Sequence, residues 1–403
     1  MRDAHNVKRK PITFHVVRFA IDPMRLHRLL LCFLLLPSLI VACAPVHQTP
    51  TPTPPPTPTS WPRAPLASPD YGVQAFLYWR YESADRDIKL IQDMGFTWVK
   101  QAIAWRDIEG IEKGAYDWGR ADRLVKAVRR AKLNLMVRID HQPFWSQAPG
   151  TEPLENAPPE NLQDYGDFCH AMAEHYKGKI QAYQVWNEPN LAREWGNQLP
   201  DPAQYVALLK VCYLGIKTAD PAALVISAGM APTGSGLPEA LPDDDFVEKM
   251  YQAGAAPYFD LLGVHAAGYQ EPPETSPDEA AKKYNGNRFF CFRHVEDLRK
   301  TMERYGDADK QVAVLEFGWT TDLVNPTYSW HAVTEQQQAD YMVRAYQYAQ
   351  AHWSPWIGPM IALSIANPFY TPEDEQYWWA ITYPDYPETR VRPAYEALRA
   401  MSK

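Results

Sequence analysis

The sequence predicts an α/β protein whose body is a single (β/α)8 TIM barrel, and three observations carry that prediction. Between about Tyr71 and Lys403, apolar strand-like runs alternate eight times with helix-like segments. That stretch of roughly 330 residues is long for an ordinary single domain but suits an α/β barrel. Two of the apolar runs also end on a glutamate, Ile180 to Glu188 and Gln311 to Glu316.

Taken in order, Tyr71 to Leu77 is expected as strand one. Ser83 caps the next helix, whose apolar face is Ile88, Ile91 and Met94 and whose stop is Gly95. Trp98 to Ile103 is strand two, and the helix near Ala121–Ala131 presents Leu124, Val125 and Val128. Strand three, Leu133 to Asp140, alternates: Leu133, Leu135 and Val137 share one face, Met136, Arg138 and Asp140 the other. A helix spans Glu160 to Tyr176, and strand four follows. Pro189 disfavours a helical Glu188, so the chain is expected to stay extended through that carboxylate.

Asp201-Pro202 then starts a helix, with a capping aspartate and proline at the first helical position. Leu224 to Ala228 is strand five, Asp243 to Gln252 its helix, and Leu261 to His265 strand six. A helix around Phe292–Arg304 precedes strand seven. Thr334 with Gln337 forms a capping-box pattern for a helix reaching about Ala351. Met360 to Ala366 is strand eight, and Pro393 to Met401 closes the fold.

The N-terminal part has another character. Met24-Arg25-Leu26-His27-Arg28 is a basic segment before the apolar run Leu29 to Val41, which is shorter than the ~20 residues of a spanning helix. It ends in Ile40-Val41-Ala42-Cys43, which resembles a bacterial lipobox with Cys43 as the lipidated residue. The Thr/Pro tract Thr49 to Pro58 cannot bury a core and reads as an extended spacer. The expected organisation is therefore residues 1–42 as extension and lipoprotein signal peptide, 43–68 as linker, and 69–403 as the barrel. The expected location is the bacterial cell surface, with membrane contact only through the lipid anchor.

The whole chain carries a formal charge of -8, from 40 basic and 48 acidic residues. Residues 1–42 hold seven basic and two acidic residues, so 33 basic and 46 acidic remain beyond them, a formal charge of −13. An acidic body argues against nucleic acid as a partner. No CxxC spacing or Cys/His cluster suggests a metal, and no organic cofactor is implied. Beyond Cys43 only Cys169, Cys212 and Cys291 occur, so at least one thiol stays free; a Cys169–Cys212 bridge between neighbouring helices is one arrangement. A monomer is expected.

In a parallel barrel, strand C-termini gather at one mouth, where the chemistry of such enzymes sits. Two glutamates delivered there are what glycosidic cleavage needs, one as acid and one as nucleophile or base. The motifs Trp186-Asn187-Glu188-Pro189 and Leu315-Glu316-Phe317-Gly318, three βα units apart, resemble those of clan A glycoside hydrolases, the retaining "4/7" barrels. Trp105, Gly114-Ala115-Tyr116-Asp117-Trp118 and Arg138 are similar to positions in families 39 and 5. The resemblance covers the body from Tyr71 onward and implies a retaining β-glycosidase acting on a carbohydrate substrate, a β-glycan or oligosaccharide. It implies Glu188 as acid/base, Glu316 as nucleophile, and Asn187 as the residue holding the sugar 2-OH.

Arg138, on the inward face of strand three, is expected either to hold Glu316 ionised or to pair with Asp140. The resemblance places a His and a Tyr after strand six; here His265 and Tyr269 are spaced more widely than the family pattern. Trp79, Trp105, Trp145, Trp319, Trp378 and Trp379 are candidate rim aromatics for sugar rings. Clan members carry a tryptophan at the end of strand eight, whereas this chain has Ser364-Ile365-Ala366-Asn367, so a platform falls to Trp378 or Trp379, or is missing. Two readings from other classes stand beside the enzyme: a non-catalytic glycan-binding barrel, and a two-lobed solute-binding lipoprotein of a sugar transporter.

Overall fold

The computed structural model describes residues 66–150 and 152–403; Cys43, its leader and the Thr/Pro tract lie outside the described residues. Eight parallel strands form the centre: β1 (Asp70–Gln74), β2 (Trp98–Ala104), β3 (Asn134–Asp140), β4 (Ala182–Val185), β5 (Leu224–Ile226), β6 (Leu262–Ala267), β7 (Val312–Gly318) and β8 (Ile357–Ala362). Their hydrogen-bonded order is β5-β4-β3-β2-β1-β8-β7-β6. A parallel bridge from Ile226 to Leu261 joins the ends of that order, closing the ring. One barrel rather than two lobes removes the solute-binding alternative.

Each strand is followed by a helix that covers it: α1 (Ala84–Asp93), α2 (Gly119–Arg130), α3 (Leu162–His175), α4 (Pro202–Ala219), α5 (Asp243–Gln252), α6 (Val295–Arg304), α7 (Glu335–His352) and α8 (Pro393–Ala400). Several starts follow from sequence-local chemistry. The Asp201 carboxylate accepts from the Ala203 and Gln204 amides, with Pro202 at the first helical position of α4. Thr334 and Gln337 cap α7 reciprocally. Ser83 occupies the cap position of α1, but its hydroxyl donates to Asp87 instead of accepting an amide. Gly95, with φ +69°, follows α1 in the left-handed conformation expected of a helix stop.

Helices α3 and α4 pack closely because glycines face each other: a Cβ on Gly215 would stand 2.4 Å from the Gly166 carbonyl oxygen. The Cys169–Cys212 disulfide joins the same two helices, and Cys291 is a buried free thiol. Strand eight begins three residues earlier than expected. Its apolar run continues past Ala362, where the ladder ends but the Leu363 and Ile365 amides still donate to the Phe317 and Gln74 carbonyls of β7 and β1 as the chain leads into the loop above.

Alternation along the strands separates two cores. Inward residues, among them Trp98, Met136, Ala182, Leu224, Leu315 and Ile361, plug the lower barrel. Outward residues such as Val99, Val137, Tyr183, Val225 and Val314 pack under the helices. One step up the same inward rows come Lys100, Arg138 and Gln184. The barrel axis therefore runs from an apolar floor to a polar mouth, the face on which the strand-end glutamates emerge.

Candidate active site

Glu316 reaches the barrel interior because β7 is not regular. The inward positions of β7 are Ala313 and Leu315, and strict alternation would send Glu316 outward. The pairing of β6 with β7 slips here: Val264 pairs with Val314, but the next residue, His265, pairs with Glu316. Leu315 is the extra residue of a bulge, which re-aims the following side chain. Gly263 on β6 makes room for it, since a Cβ there would lie 2.6 Å from the Leu315 side chain.

Glu188 arrives by a different device. The expectation of an extended backbone through this residue is not met: β4 ends at Val185, and Trp186 and Glu188 adopt φ of 70° and 44°. Proline at 189 disfavours the right-handed helical region for Glu188 but does not bar the left-handed one. Left-handed conformations are costly for residues with a Cβ, and for a tryptophan markedly so. The result is a change of sides. Trp186 turns out into the helix layer beside Tyr165 and Trp195, its indole N–H donating to the Glu194 carbonyl at 2.9 Å. Asn187 and Glu188 both then line the cleft.

The cleft has a volume of about 730 Å³ and contains Glu188, Glu316, Arg138, His265 and Asn187 together. Carboxylate oxygens of Glu188 and Glu316 and a ring nitrogen of His265 lie within 4.8 Å of one another. His265 Nδ1 is 2.9 Å from a Glu188 oxygen and 3.9 Å from Glu316. Its ring rests against Gly229, where a Cβ would come within 2.1 Å, and the Gly229 carbonyl accepts the Glu188 amide at 3.0 Å. Gly229 thus fixes both partners.

Lys100 is the residue that the sequence reading missed. Its ammonium, 1% exposed, donates to Glu316 Oε1 at 2.9 Å and to the Leu315 carbonyl at 3.1 Å. Arg138 stands 3.8 Å from the same carboxylate but 2.8 Å from Asp140, so of its two expected partners Asp140 is the closer. Burial alone would raise the Glu316 pKa, but Lys100, then His265 and Arg138, pull it down to about 2. A signal for Lys100 did exist, a lysine two residues after Trp98 in an otherwise uncharged strand, on the inward parity.

Two further charged groups follow the β4 motif. Arg193, 71% exposed, reaches to 3.7 Å from Glu188 and 3.7 Å from Glu194. Burial, and then the Glu188 charge, raise the Glu194 pKa, against a hydrogen bond from Asn156. Among the described residues, Glu188, His265 and Glu316 form the one convergent group of metal-ligand types. Lys100 and Arg138 already face Glu316 with two positive charges, an arrangement that balances a carboxylate rather than one that would attract a divalent cation.

Three expected binding residues lie elsewhere. Tyr269 donates to the Pro232 carbonyl at 3.0 Å and packs against Phe289 and Phe290, away from Glu316; its wide spacing from His265 carries it past the cleft. Trp319 is fully buried with its indole N–H on the Glu271 carbonyl, as is Trp105 with its own on Glu109. Trp378 donates to the Pro372 carbonyl outside the cleft, while the adjacent Trp379 lines it, with Tyr370 and Phe76. The platform position left open by Ser364 is therefore bordered by Trp379.

No protein-family model matches this sequence, and no curated protein matches it. Solved structures similar to the chain include a family 39 glycoside hydrolase from the gut symbiont Bacteroides cellulosilyticus WH2, at TM-score 0.63 and 20% identity over 82% of this chain and 62% of that one. The GH39 enzyme from Xanthomonas axonopodis pv. citri gives TM-score 0.58 and 16% identity over 83% and 67%. A glucosidase from Croceicoccus marinus gives 0.55 and 14% over 81% and 66%. The chain spans less than two thirds of the length of the Bacteroides protein. At these identities the likeness is one of fold: the chain shares its eight-stranded barrel with family 39 glycoside hydrolases.

Proposed function

We propose that this protein is a retaining β-glycosidase acting on β-glycans or their oligosaccharides. The observation that carries the reading is the meeting of Glu188 and Glu316, with oxygens within 4.8 Å, one of the two held ionised by a buried lysine. Oxygens that approach so closely suit direct attack by one carboxylate, the arrangement of retaining rather than inverting pairs. Glu316 attacks the anomeric carbon, and the electron pair of the breaking C–O bond goes to the leaving oxygen, which takes a proton from Glu188. The glycosyl–Glu316 ester then forms. Glu188, now a carboxylate, takes a proton from water as that water attacks the same carbon, and Glu316 departs as a carboxylate. The geometry suits each role: a nucleophile must be ionised, whereas an acid/base needs partners that tolerate both of its states. His265 and the exposed Arg193 are such partners for Glu188. Asn187, which lines the cleft beside Glu188, is the residue assigned to the sugar 2-OH.

A hydrolysis screen over aryl β-glycosides and β-glycans tests the reading. Turnover that disappears in Glu316→Ala supports it; glycan binding without turnover on any substrate would favour a non-catalytic barrel. We further propose that Cys43 carries a lipid and holds the barrel at the cell surface on the Thr/Pro stalk. Cys43→Ser is expected to leave the membrane fraction with its hydrolytic activity unchanged, and an unlipidated wild-type protein would contradict the anchor.

A further inference from the structure

The reacting centre is dominated by charge, and the exposed aromatics lie beyond it. Among the described residues only two tryptophans are exposed, Trp79 at 39% and Trp330 at 48%. A single exposed aromatic is ordinary; one that borders a hollow beside a reacting centre is a candidate contact for a ligand. Each of these two lines a separate hollow that adjoins the catalytic cleft. Trp79 borders one of about 280 Å³, which shares Gln74, Phe76, Arg138 and His141 with the cleft. Trp330 borders one of about 540 Å³, built with Phe289 and Phe290 and joined to the cleft through Pro232 and Tyr328.

We propose that the cleft is the middle of a trough that binds sugar units on both sides of the scissile bond, so that the enzyme cuts within a β-linked chain. The proposal rests on the glycosidase reading and adds the mode of attack and the length of substrate. Sugar rings present apolar C–H faces, and aromatic platforms away from the reacting centre suit units that are held but not cleaved. Binding energy from such remote units is what a glycosidase uses to orient and distort the reacting one.

The catalytic pair gives the trough a direction. The cations that hold Glu316, Lys100 and Arg138, come from β2 and β3, the side on which Trp79 and Arg106 stand. Of the partners of Glu188, His265 belongs to β6, and Arg193, from the loop after β4, acts on Tyr328, which lines the Trp330 hollow. Glu188 serves the leaving oxygen, so the Trp330 hollow holds the leaving-group sugars and the Trp79 hollow holds the sugar preceding the attacked unit.

The test is the cleavage pattern on reducing-end-labelled cellopentaose, xylopentaose, mannopentaose and laminaripentaose. Wild-type protein is expected to cut an internal bond first in at least one of them. Trp330→Ala loses hold of the leaving-group side, so its first cut should move toward the reducing end, and Trp79→Ala should move it toward the non-reducing end. A cut position is a ratio of products and is insensitive to how much of a variant folds. Release of single terminal sugars by the wild type, or the same pattern in all three proteins, overturns the trough and leaves the glycosidase reading intact. If no pentaose and no aryl glycoside is hydrolysed, that reading fails. The trough, which rests on it, then fails as well, whereas hydrolysis of aryl glycosides with no pentaose cut overturns the trough alone.

Discussion

The ends of β4 and β7 present the same functional group to the same space by opposite means. β7 keeps its strand geometry and gains one residue, Leu315, whose bulge turns Glu316 inward onto a buried lysine. β4 gives up its strand geometry at Val185, and two left-handed residues bring Glu188 into the cleft while Trp186 anchors the turn outside. The first arrangement fixes a charge. The second leaves a carboxylate between a buried imidazole set against Gly229 and an exposed arginine side chain, the latter a partner that is lost with little penalty. The contrast matches the division of labour proposed for the two: one group that alternates between carboxylate and ester and never takes a proton, and one that gives up and takes back a proton.

Substitutions separate the two ends. Glu316→Ala should lose turnover on every substrate, by on the order of 10⁴-fold or more, because no covalent intermediate can form; a variant keeping a hundredth of the wild-type kcat would break the comparison. Glu188→Ala should depend on the substrate. With poor leaving groups the loss should be about 10²–10⁴-fold, the usual worth of general acid catalysis. With good leaving groups the first step should survive, and azide should restore the second, yielding a β-glycosyl azide. Equal losses on both substrate kinds would contradict the acid role.

Lys100→Met probes the fixed charge. Glu316 is pulled down to about 2 against its burial, with Lys100 the leading cation. Removing that cation favours the protonated carboxylic acid, so the acidic limb of kcat/KM should move to higher pH, by about 1–3 units, and Lys100→Arg should restore it in part. Arg138→Ala should move the limb the same way by less, since Arg138 is 3.8 Å from Glu316 and 2.8 Å from Asp140. An unmoved limb in folded Lys100→Met would reduce the lysine to a packing role. The smallest effect on activity is expected far from the mouth. Reducing Cys169–Cys212, which closes a loop of 43 residues, should lower stability by about 4 kcal/mol while leaving kcat at moderate temperature unaltered.

Much of this was legible in the residues, for reasons that differ by element. Helices α4 and α7 announce their starts through side chains that cap locally, and strand three declares its two faces by alternation. Arg138, Asn187, Glu188, His265 and Glu316 lie together in the cleft as their positions at strand ends implied. What sequence could not carry is non-local register. The bulge at Leu315 exists because β6 and β7 pair out of step, and nothing within Val312–Gly318 alone encodes it. The left-handed turn at Trp186 and Glu188 depends on a pocket for the indole formed by Tyr165 and Trp195, residues from α3 and from the loop after β4. Trp319 was misplaced because aromatic type says nothing about depth: the same residue that suits a sugar face suits a core; Tyr269 instead lies beyond the cleft, on the wall of the adjoining Trp330 hollow. Lys100 was in plain view but required taking parity in β2 as seriously as in β3.

The claim on which the rest depends is that Glu316 attacks the sugar directly while Glu188 faces it across the narrow mouth. Proton NMR of the first sugar formed from a β-glycoside, recorded before mutarotation, tests it without any variant. Two displacements at the anomeric carbon predict that the β-anomer appears first and the α-anomer only later, as equilibrium is approached. An initial α-anomer would mean a single displacement by water, and would contradict the assignment of Glu316 as nucleophile.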